Sequence, residues 1–396
     1  MVILNISEFQ PAPIKAKERD NDILIVTAQK HAEYYPEVKH VFILAIPFVS
    51  TMTSFLLPKW RSFRTLGQQK KYVTHGQEIY VMNFFMRGYR IRILRPLFHW
   101  LSYITNKARL IRIVQEEKVT LIHAHHVQHS SYIAHRLSRK LNIPYVVTSR
   151  KIFSSIHSKQ AKQDLNHAEA VISINHFYKK IIDQLVPSNS SHLLPHGLDA
   201  AFLTAEDKLL QPERGVVKLI SISRLLPLKN IEHVLLALEK SNLPFVYDIY
   251  GDGPDFSRLI NILAHLKIKD NVRFMGHVPH SEVPPILSQY DIFVLPSYPE
   301  GLGRVYLEAM GMGLPVIASK NTGIDGFITN GVSGMLVHPK NIDELSEALN
   351  KLIIDVPFRL DIAAAGRALM HQFSWDKIIP KLHTIYSSAI SNYKKK

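Results

Sequence analysis

The stretch that decides the fold is Ser297-Tyr-Pro-Glu-Gly-Leu-Gly-Arg-Val-Tyr-Leu-Glu308-Ala-Met-Gly-Met-Gly-Leu-Pro315. Two short apolar runs flank it, Asp291-Ile-Phe-Val-Leu-Pro296 and Pro315-Val-Ile-Ala318, each the length of a buried strand. Between them the pattern predicts a loop from Pro296 to Gly303 and then a helix. The helix should stop near Gly311 and Gly313, with Pro315 blocking its continuation.

A glycine-bearing loop that feeds a helix presents unpaired N–H groups and the positive end of the helix dipole, which suit phosphate or sugar oxygens. Glu300 falls in the loop, and Glu308 lies just over one turn into the helix. Helical side chains lean toward the amino end, so Glu308 can point back at what the loop holds. Two carboxylates there would repel a phosphate unless they grip hydroxyls instead. Amides for phosphate and carboxylates for hydroxyls together fit a sugar nucleotide, although a plain surface loop would also accommodate these residues.

The Glu-x7-Glu spacing of Glu300 and Glu308, with its Glu-Gly-Leu-Gly loop, resembles glycosyltransferase family 4, the retaining group 1 glycosyltransferases of GT-B fold. The resemblance extends over roughly residues 118–390, and further motifs follow in family order. Ser223-Arg-Leu-Leu-Pro-Leu-Lys229-Asn230 is similar to the family's Arg-Leu-x-x-x-Lys-Gly signature, with Asn230 in place of glycine. Gly251-Asp-Gly-Pro254 is similar to its Gly-x-Gly-Pro turn, and Val272-Arg-Phe-Met-Gly-His-Val278 to the strand end that meets the nucleotide base. Asn321 to Leu336 resembles the loop-helix-turn that follows, except that Asp325-Gly326 stands where relatives often have Pro-Glu. Pro195-His-Gly-Leu-Asp199 resembles the turn between domains, with a linker on to about Glu213, and Phe373-Ser-Trp-Asp376 the start of a returning C-terminal helix.

The resemblance implies an α/β chain of two Rossmann-like domains. Residues 1–198 would bind the acceptor, 199–374 the nucleotide sugar, and 375–396 would form a helix returning to the first domain. Arg224 and Lys229 would neutralise the leaving diphosphate, Glu300 would hold the donor sugar's hydroxyls and Glu308 the ribose. Gly301, Leu302, Gly303, Arg304 and Val305 would line the donor. The departing phosphate would itself take the acceptor's proton, so that no separate base, metal or cofactor is needed.

Composition agrees with a globular enzyme. The 396 residues suffice for two cores, and 46% apolar with 20% charged residues is ordinary for a globular chain. With no cysteine there is no disulfide, thiolate metal site or thiol nucleophile, which fits a cytoplasmic address. The N-terminus lacks the basic start and cleavage site of a signal peptide. The uncharged run Val41 to Pro58, interrupted by Pro47 and four Ser or Thr, reads as a strand plus helix rather than a membrane span.

Charge is uneven. Residues 1–200 carry 27 Lys and Arg against 13 Asp and Glu, whereas residues 201–396 carry 21 against 20. Glycine runs the other way, with only Gly67, Gly76, Gly88 and Gly197 before residue 201. A glycine-rich half would hold phosphate, and a basic half would face an anionic partner.

Asp22-Ile-Leu-Ile-Val-Thr27 reads as the first strand, followed by no glycine before Gly67 where relatives often carry a glycine-rich loop. Residues 83–113 combine seven Lys and Arg with six aromatics and no acid, a mixture suited to an anionic membrane surface or to aromatics facing a core. From Val119 strands alternate with helices: Val119–Ala124, a helix near 129–141, Ile143–Thr148 and Glu169–Ile174. That alternation predicts a parallel sheet with ligands at the carboxyl ends of its strands.

His123-Ala-His-His126 sits at such an end, and His125 and His126 would form a polar floor to the acceptor pocket; no carboxylate is placed to complete a metal site. Arg150 falls where relatives commonly have histidine. It cannot act as a base but could bind an acceptor phosphate or carboxylate. Asp20-Asn-Asp22 looks like a metal motif but precedes the first strand. The expected partners are a nucleotide sugar, a glycan or lipid-linked acceptor of envelope synthesis and an anionic membrane surface at the inner face of the cell membrane. No nucleic-acid recognition motif is present. A sugar-nucleotide epimerase of similar shape, or a non-catalytic nucleotide-sugar or polyanion binder, are the competing readings; nucleotide release from a panel of nucleotide sugars separates them.

Overall fold

A computed structural model describes residues 1–7, 23–47, 65, 68, 71–74, 77–84, 94–150, 156–203 and 215–395. The chain forms two compact units: Met1–Ile174 with Tyr178–Leu194 and Ile379–Lys396, and Pro195–Ile378 with Asn175–Phe177. Both are α/β units of Rossmann type.

The first unit is built on an eight-stranded sheet. Its strands are β1 (Val2–Ser7), β2 (Lys39–Pro47), β3 (Lys71–Thr74), β4 (Gln77–Phe84), β5 (Leu121–Ala124), β6 (Tyr145–Ser149), β7 (Ala170–Ser173) and β8 (Ser191–Leu193). Their order is β3-β4-β2-β1-β5-β6-β7-β8, and only β3 pairs antiparallel. The helices are α1 (Ile23–Tyr34), α2 (Arg95–Glu116), α3 (His129–Leu141), α4 (Lys159–Asn166) and α5 (His176–Ile182), the last shared in sequence between the units. Parallel strands covered on both faces must be apolar throughout, and β5, β6 and β7 are buried at every position. β1 is the switch point, with β2 on one side and β5 on the other.

The sequence placed the first strand at Asp22–Thr27; the structure makes Ile23–Thr27 the start of α1 and puts the first strand at Val2–Ser7. The run of β-branched residues favours a strand locally, but Leu24, Ile25, Ala28 and His31 bury one face at helical spacing, and tertiary burial overrides propensity.

The second unit carries a parallel sheet of six strands in the order β11-β10-β9-β12-β13-β14. These are β9 (Val217–Ile222), β10 (Phe245–Tyr250), β11 (Val272–Gly276), β12 (Ile292–Val294), β13 (Val316–Ser319) and β14 (Met335–Val337). The helices are α6 (Ile231–Glu239), α7 (Phe256–Leu263), α8 (Val283–Leu287), α9 (Arg304–Gly311), α10 (Ile342–Ile354), α11 (Val356–Met370) and α12 (Trp375–Lys394). In α6, Ile231, Val234, Leu235 and Leu238 are buried, each worth about 1.5–3 kcal/mol relative to exposure. β9 lies between β10 and β12, so the segments leaving β9 and β12 flank the switch point. They are the two segments that carry Arg224 with Lys229, and Glu300.

Residues 321–334 were expected to include a helix but instead form consecutive turns. α12 starts within the second unit and from Ile379 belongs to the first. Leu382, Ile385, Tyr386 and Ala389 bury one stripe of it at helical spacing.

Polar side chains also fix α12 in the first unit. His383 Nδ1 lies 3.0 Å from His31 Nε2, His31 Nδ1 lies 3.0 Å from His40 Nε2, and Asn5 Nδ2 donates to His40 Nδ1 at 3.1 Å. Asn5 Oδ1 then meets His125 Nε2 at 3.0 Å. His123 packs against His125 with ring centroids 3.8 Å apart and tilted by 39°, and bonds Tyr386 Oη at 2.7 Å and Thr148 Oγ1 at 2.7 Å. Tyr35 stacks on His383 with ring centroids 3.7 Å apart.

Burial, then His383 and the terminal ammonium, pull His31 down to about 4; burial and His31 pull His40 down to about 3. Burial, with Arg150 among the neighbouring charges, holds His123 and His125 well below the ordinary value. Unfolded imidazoles take up protons below pH 6.5 that these cannot, so the stabilisation is complete above that pH. It is lost as pH falls toward 4 and 3, at about 1.4 kcal/mol per pH unit per histidine. The thermal midpoint should therefore fall steeply below pH 6.5, and the variant His31→Gln with His40→Asn should flatten that limb. An unchanged pH profile in the variant would refute this origin.

Candidate functional site

The site in the second unit is assembled by one turn packed on one loop. After β9 the chain runs through Arg224 and Leu225 into a single 3-10 turn, Pro227–Lys229, and then into α6. Asn230 at the junction has φ of 54°, a left-handed conformation that asparagine adopts more readily than most residues with a side chain, which suits it to the place where the family signature has glycine. Its side chain donates to the Pro296 carbonyl at 2.7 Å, and Tyr298 N donates to the Leu228 carbonyl at 2.8 Å. Between these two bonds Lys229 Nζ pairs with Glu300 Oε2.

The Gly251-Asp-Gly-Pro254 turn braces the same segment. Leu225 N donates to the Asp252 carbonyl at 2.7 Å, and a Cβ on Gly253 would fall 2.2 Å from the Leu225 carbonyl oxygen. With φ of 155° as well, this position requires glycine.

On the loop, the backbone of Glu300 is fixed by Thr322: Glu300 N donates to Thr322 Oγ1 at 2.7 Å, and Thr322 Oγ1 donates to the Glu300 carbonyl at 3.0 Å. Gly301 N donates to Glu300 Oε1 at 3.0 Å. Asn175, fully buried and far away in sequence, donates from its side chain to the Gly301 carbonyl. Gly303 caps α9 with φ of 72°, and Tyr306 and Glu300 occupy the space a Cβ would need. Leu302 is buried, while Gly301, Gly303, Arg304 and Val305 are half-buried.

The structure thus brings together Lys229 and Glu300, residues 71 apart in sequence. Arg224 is exposed on the same turn segment. Lys229 is less open than Arg224, its side chain only 16% accessible and that of Glu300 14%. Glu308 is buried on α9 and gathers His280 Nε2 at 2.9 Å and Arg304 Nη2 at 3.3 Å on its Oε1. His280, Asn175 and Thr322 were not identified from the sequence. His280 follows the β11 exit by four residues without a spacing pattern of its own. In the 321–334 turns, Asp325 accepts from Asn321 N at 2.5 Å and closes the turn on itself.

In the first unit, His125 is buried against Asn5, His126 is half-buried, and Arg150 is half-buried where its charge acts on His123, His125 and Tyr386. Among the described residues no group of three or more His, Asp or Glu could hold a metal ion. Asp20-Asn-Asp22 and Lys151 lie outside the described residues.

Removing one partner of a largely buried ion pair leaves a lone charge and costs on the order of 3 kcal/mol. Lys229→Met alone should therefore lower the thermal midpoint, and adding Glu300→Gln should recover most of the loss. Additive losses in the double variant would show that the two side chains are not coupled.

The profile of the Glycosyl transferases group 1 family matches residues 206–369, and that of Glycosyltransferase Family 4 matches residues 64–202. An uncharacterized glycosyltransferase of Methanocaldococcus jannaschii is 22% identical over 73% of this chain and 81% of its own. The N-acetyl-alpha-D-glucosaminyl L-malate synthase of Bacillus anthracis is 23% identical over 72% of this chain and 79% of its own. Among solved structures, Anabaena HepE in complex with UDP superposes with a TM-score of 0.73 at 21% identity, covering 98% of this chain and 100% of that one. Sucrose-phosphate synthase from Thermosynechococcus elongatus gives 0.75 at 17% identity, over 99% and 100%. The fold is therefore GT-B, and with two consecutive profiles matched across both units the chain belongs to the group 1 glycosyltransferases of family 4.

Proposed function

We propose that this glycosyltransferase moves a sugar from a nucleotide diphosphate sugar, with retention and without a metal, onto a glycan or lipid-linked acceptor of envelope synthesis. The pairing of Lys229 with Glu300 at the switch point of the second sheet carries the reading. A cation and a carboxylate held together there suit the two halves of a nucleotide sugar, the diphosphate and the sugar hydroxyls. Lys229 has three donors, so the bond to Glu300 leaves it able to bind phosphate oxygens. Arg224, on the same segment, adds a second cation for the charge that grows on the leaving diphosphate. Glu308, with His280 and Arg304 about it, is the proposed ribose contact. The complexes of HepE with UDP and with UDP-glucose support a uridine nucleotide as the first donor to test.

Released nucleotide, followed over a panel of nucleotide sugars with the product anomer read by NMR, tests this directly. Glu300→Gln should cut turnover by about tens- to thousands-fold. Arg224→Ala should lower kcat at least about tenfold at an unchanged thermal midpoint, because that side chain is exposed. An inverted product, epimer formation without transfer, or full activity in Arg224→Ala would each refute the assignment.

The proposed membrane surface is supported by α2. Phe84 and Tyr103 face the core, but Leu97, Trp100 and Ile104 are 48%, 49% and 45% exposed at the spacing of one helical face, with Leu94 beside them. Phe85, Tyr89 and the arginines at 87, 90 and 92 lie outside the described residues. No described helix is long and apolar enough to cross a membrane, so attachment would be peripheral. Co-sedimentation with anionic vesicles should fall at high salt and should be abolished by Leu97→Glu with Trp100→Glu. Binding indifferent to lipid charge, salt and this variant would refute the surface.

A further inference from the structure

Glu308 is buried just over one turn into α9, and an ionised carboxylate there only accepts hydrogen bonds. Both of its donors meet one oxygen: His280 Nε2 lies 2.9 Å and Arg304 Nη2 3.3 Å from Oε1. Among the described residues no hydrogen bond engages Oε2. One oxygen thus anchors the side chain, and the other is left to accept from a ligand.

The two donors differ in what they can fix. Arg304 stands four residues before Glu308 on the same helix, so their pairing ties α9 only to itself. Its long side chain also has many rotamers to lose. His280 comes from a separate element, the 3-10 turn His280–Glu282 that follows Pro279 beyond β11. Its ring packs against Phe202 with centroids 5.4 Å apart, and Phe202 is buried in the turn Ala200–Phe202. That turn also backs α9, because a Cβ on Gly311 would fall 2.5 Å from the Phe202 carbonyl oxygen. The imidazole is therefore a rigid group set between a buried ring and the carboxylate.

The position of the proton follows from the geometry. Nε2 lies 2.9 Å from Oε1 and 3.4 Å from Arg304 Nη2. Were Nε2 to accept from Arg304, its lone pair would face those of the carboxylate at hydrogen-bond distance. Nε2 therefore carries the proton and donates it to Oε1, a charge-assisted bond.

We infer that His280 is a positioning residue of the donor site. By holding Oε1 it aims Oε2 of Glu308 at the ribose hydroxyls, and so makes the site select ribonucleotides over nucleotides that lack those hydroxyls. The inference rests on the reading of Glu308 as the ribose contact, and adds the residue that sets its direction and the selectivity that results. A site built to bond a hydroxyl rejects the analogue without it, because its own polar group is then left unpaired. That rejection needs an acceptor of fixed direction, which Arg304 alone does not give.

The test measures by calorimetry the affinity of the full chain for UDP and for 2′,3′-dideoxy-UDP, with the corresponding GDP pair alongside. It compares the wild type with His280→Ala, His280→Gln and Glu308→Gln. The wild type should prefer one ribonucleotide over its dideoxy analogue by at least about tenfold, as a hydrogen bond to a charged group allows. His280→Ala should weaken that ribonucleotide at least about fivefold and leave the dideoxy analogue within about twofold. His280→Gln should restore most of the affinity, because its amide nitrogen can donate from the place of Nε2. Equal losses for both nucleotides in His280→Ala, no loss at all, or a loss that glutamine does not restore would overturn the role. Glu308→Gln reports on the underlying reading. A preference that survives it, or a wild type that binds neither ribonucleotide or does not discriminate, would refute Glu308 as the ribose contact and this role with it. A preference that Glu308→Gln removes and His280→Ala leaves intact would keep that reading and refute this one.

Discussion

The interaction on which the second unit depends is the bond between Lys229 and Glu300, held between two backbone stitches. The Asn230 side chain reaches the Pro296 carbonyl on one side, and Tyr298 N reaches the Leu228 carbonyl on the other. Strands β9 and β12 are neighbours in the sheet, so the segments leaving them emerge side by side. Adjacency alone would not fix two flexible loops. Ordering a loop costs about 1–2 kcal/mol per residue in backbone entropy, which a surface ion pair worth under about 1 kcal/mol cannot offset. The stitches and the brace from Gly253 restrict both backbones first, and the ion pair then forms between groups already in place. A largely buried pair of this kind is a poor device for stability but a good one for register. That suits a site where a cation and a carboxylate must keep a fixed separation.

The first unit solves a different problem by a different means. Its core is apolar along the strands, but a file of histidines runs from α12 through α1 and β2 to the ends of β1 and β5. Burying an unpaired imidazole would be costly, and each one here has a partner that takes or gives a hydrogen bond. Because neutral imidazole is both donor and acceptor, a row of them can be satisfied without net charge. The gain over an apolar stripe is directional: His31 bonds His383 at one position along α12, and His123 bonds Tyr386 one turn away. The stripe of Leu382, Ile385 and Ala389 would tolerate a slide of the helix that the hydrogen bonds would not.

The second unit was almost fully legible in the sequence, for a physical reason. Its candidate site residues sit where strands end and helices begin, and those junctions announce themselves through glycine, proline and the change of hydrophobic period, as at Pro296–Gly303 and Gly251–Pro254. What escaped notice were partners brought in by folding alone. Asn175 reaches Gly301 across 126 residues, and His280 reaches Glu308 across 28, and neither pair has a local pattern. The first unit was harder. Asp22–Thr27 has the composition of a strand, and only the burial of Leu24, Ala28 and His31 on one face shows why it coils. His125 was expected in an acceptor pocket, and its partner Asn5 could not be anticipated until Val2–Ser7 was known to be the central strand.

The uneven charge of the two halves also gains a structural meaning. Residues 201–396 are nearly neutral, and two cations of the candidate site are paired with acids, Lys229 with Glu300 and Arg304 with Glu308. Such pairs present little net field at a distance and act only at contact, which suits recognition of a ligand that carries both anionic and hydroxylic groups. Residues 1–200 hold more than twice as many basic as acidic residues. An excess of that kind produces a field that extends about a Debye length, roughly 8 Å at physiological salt, beyond the surface. It raises the local concentration of anions before any contact forms. The excess of positive charge therefore falls in the first half of the chain, whereas the paired charges of the candidate site lie in the second.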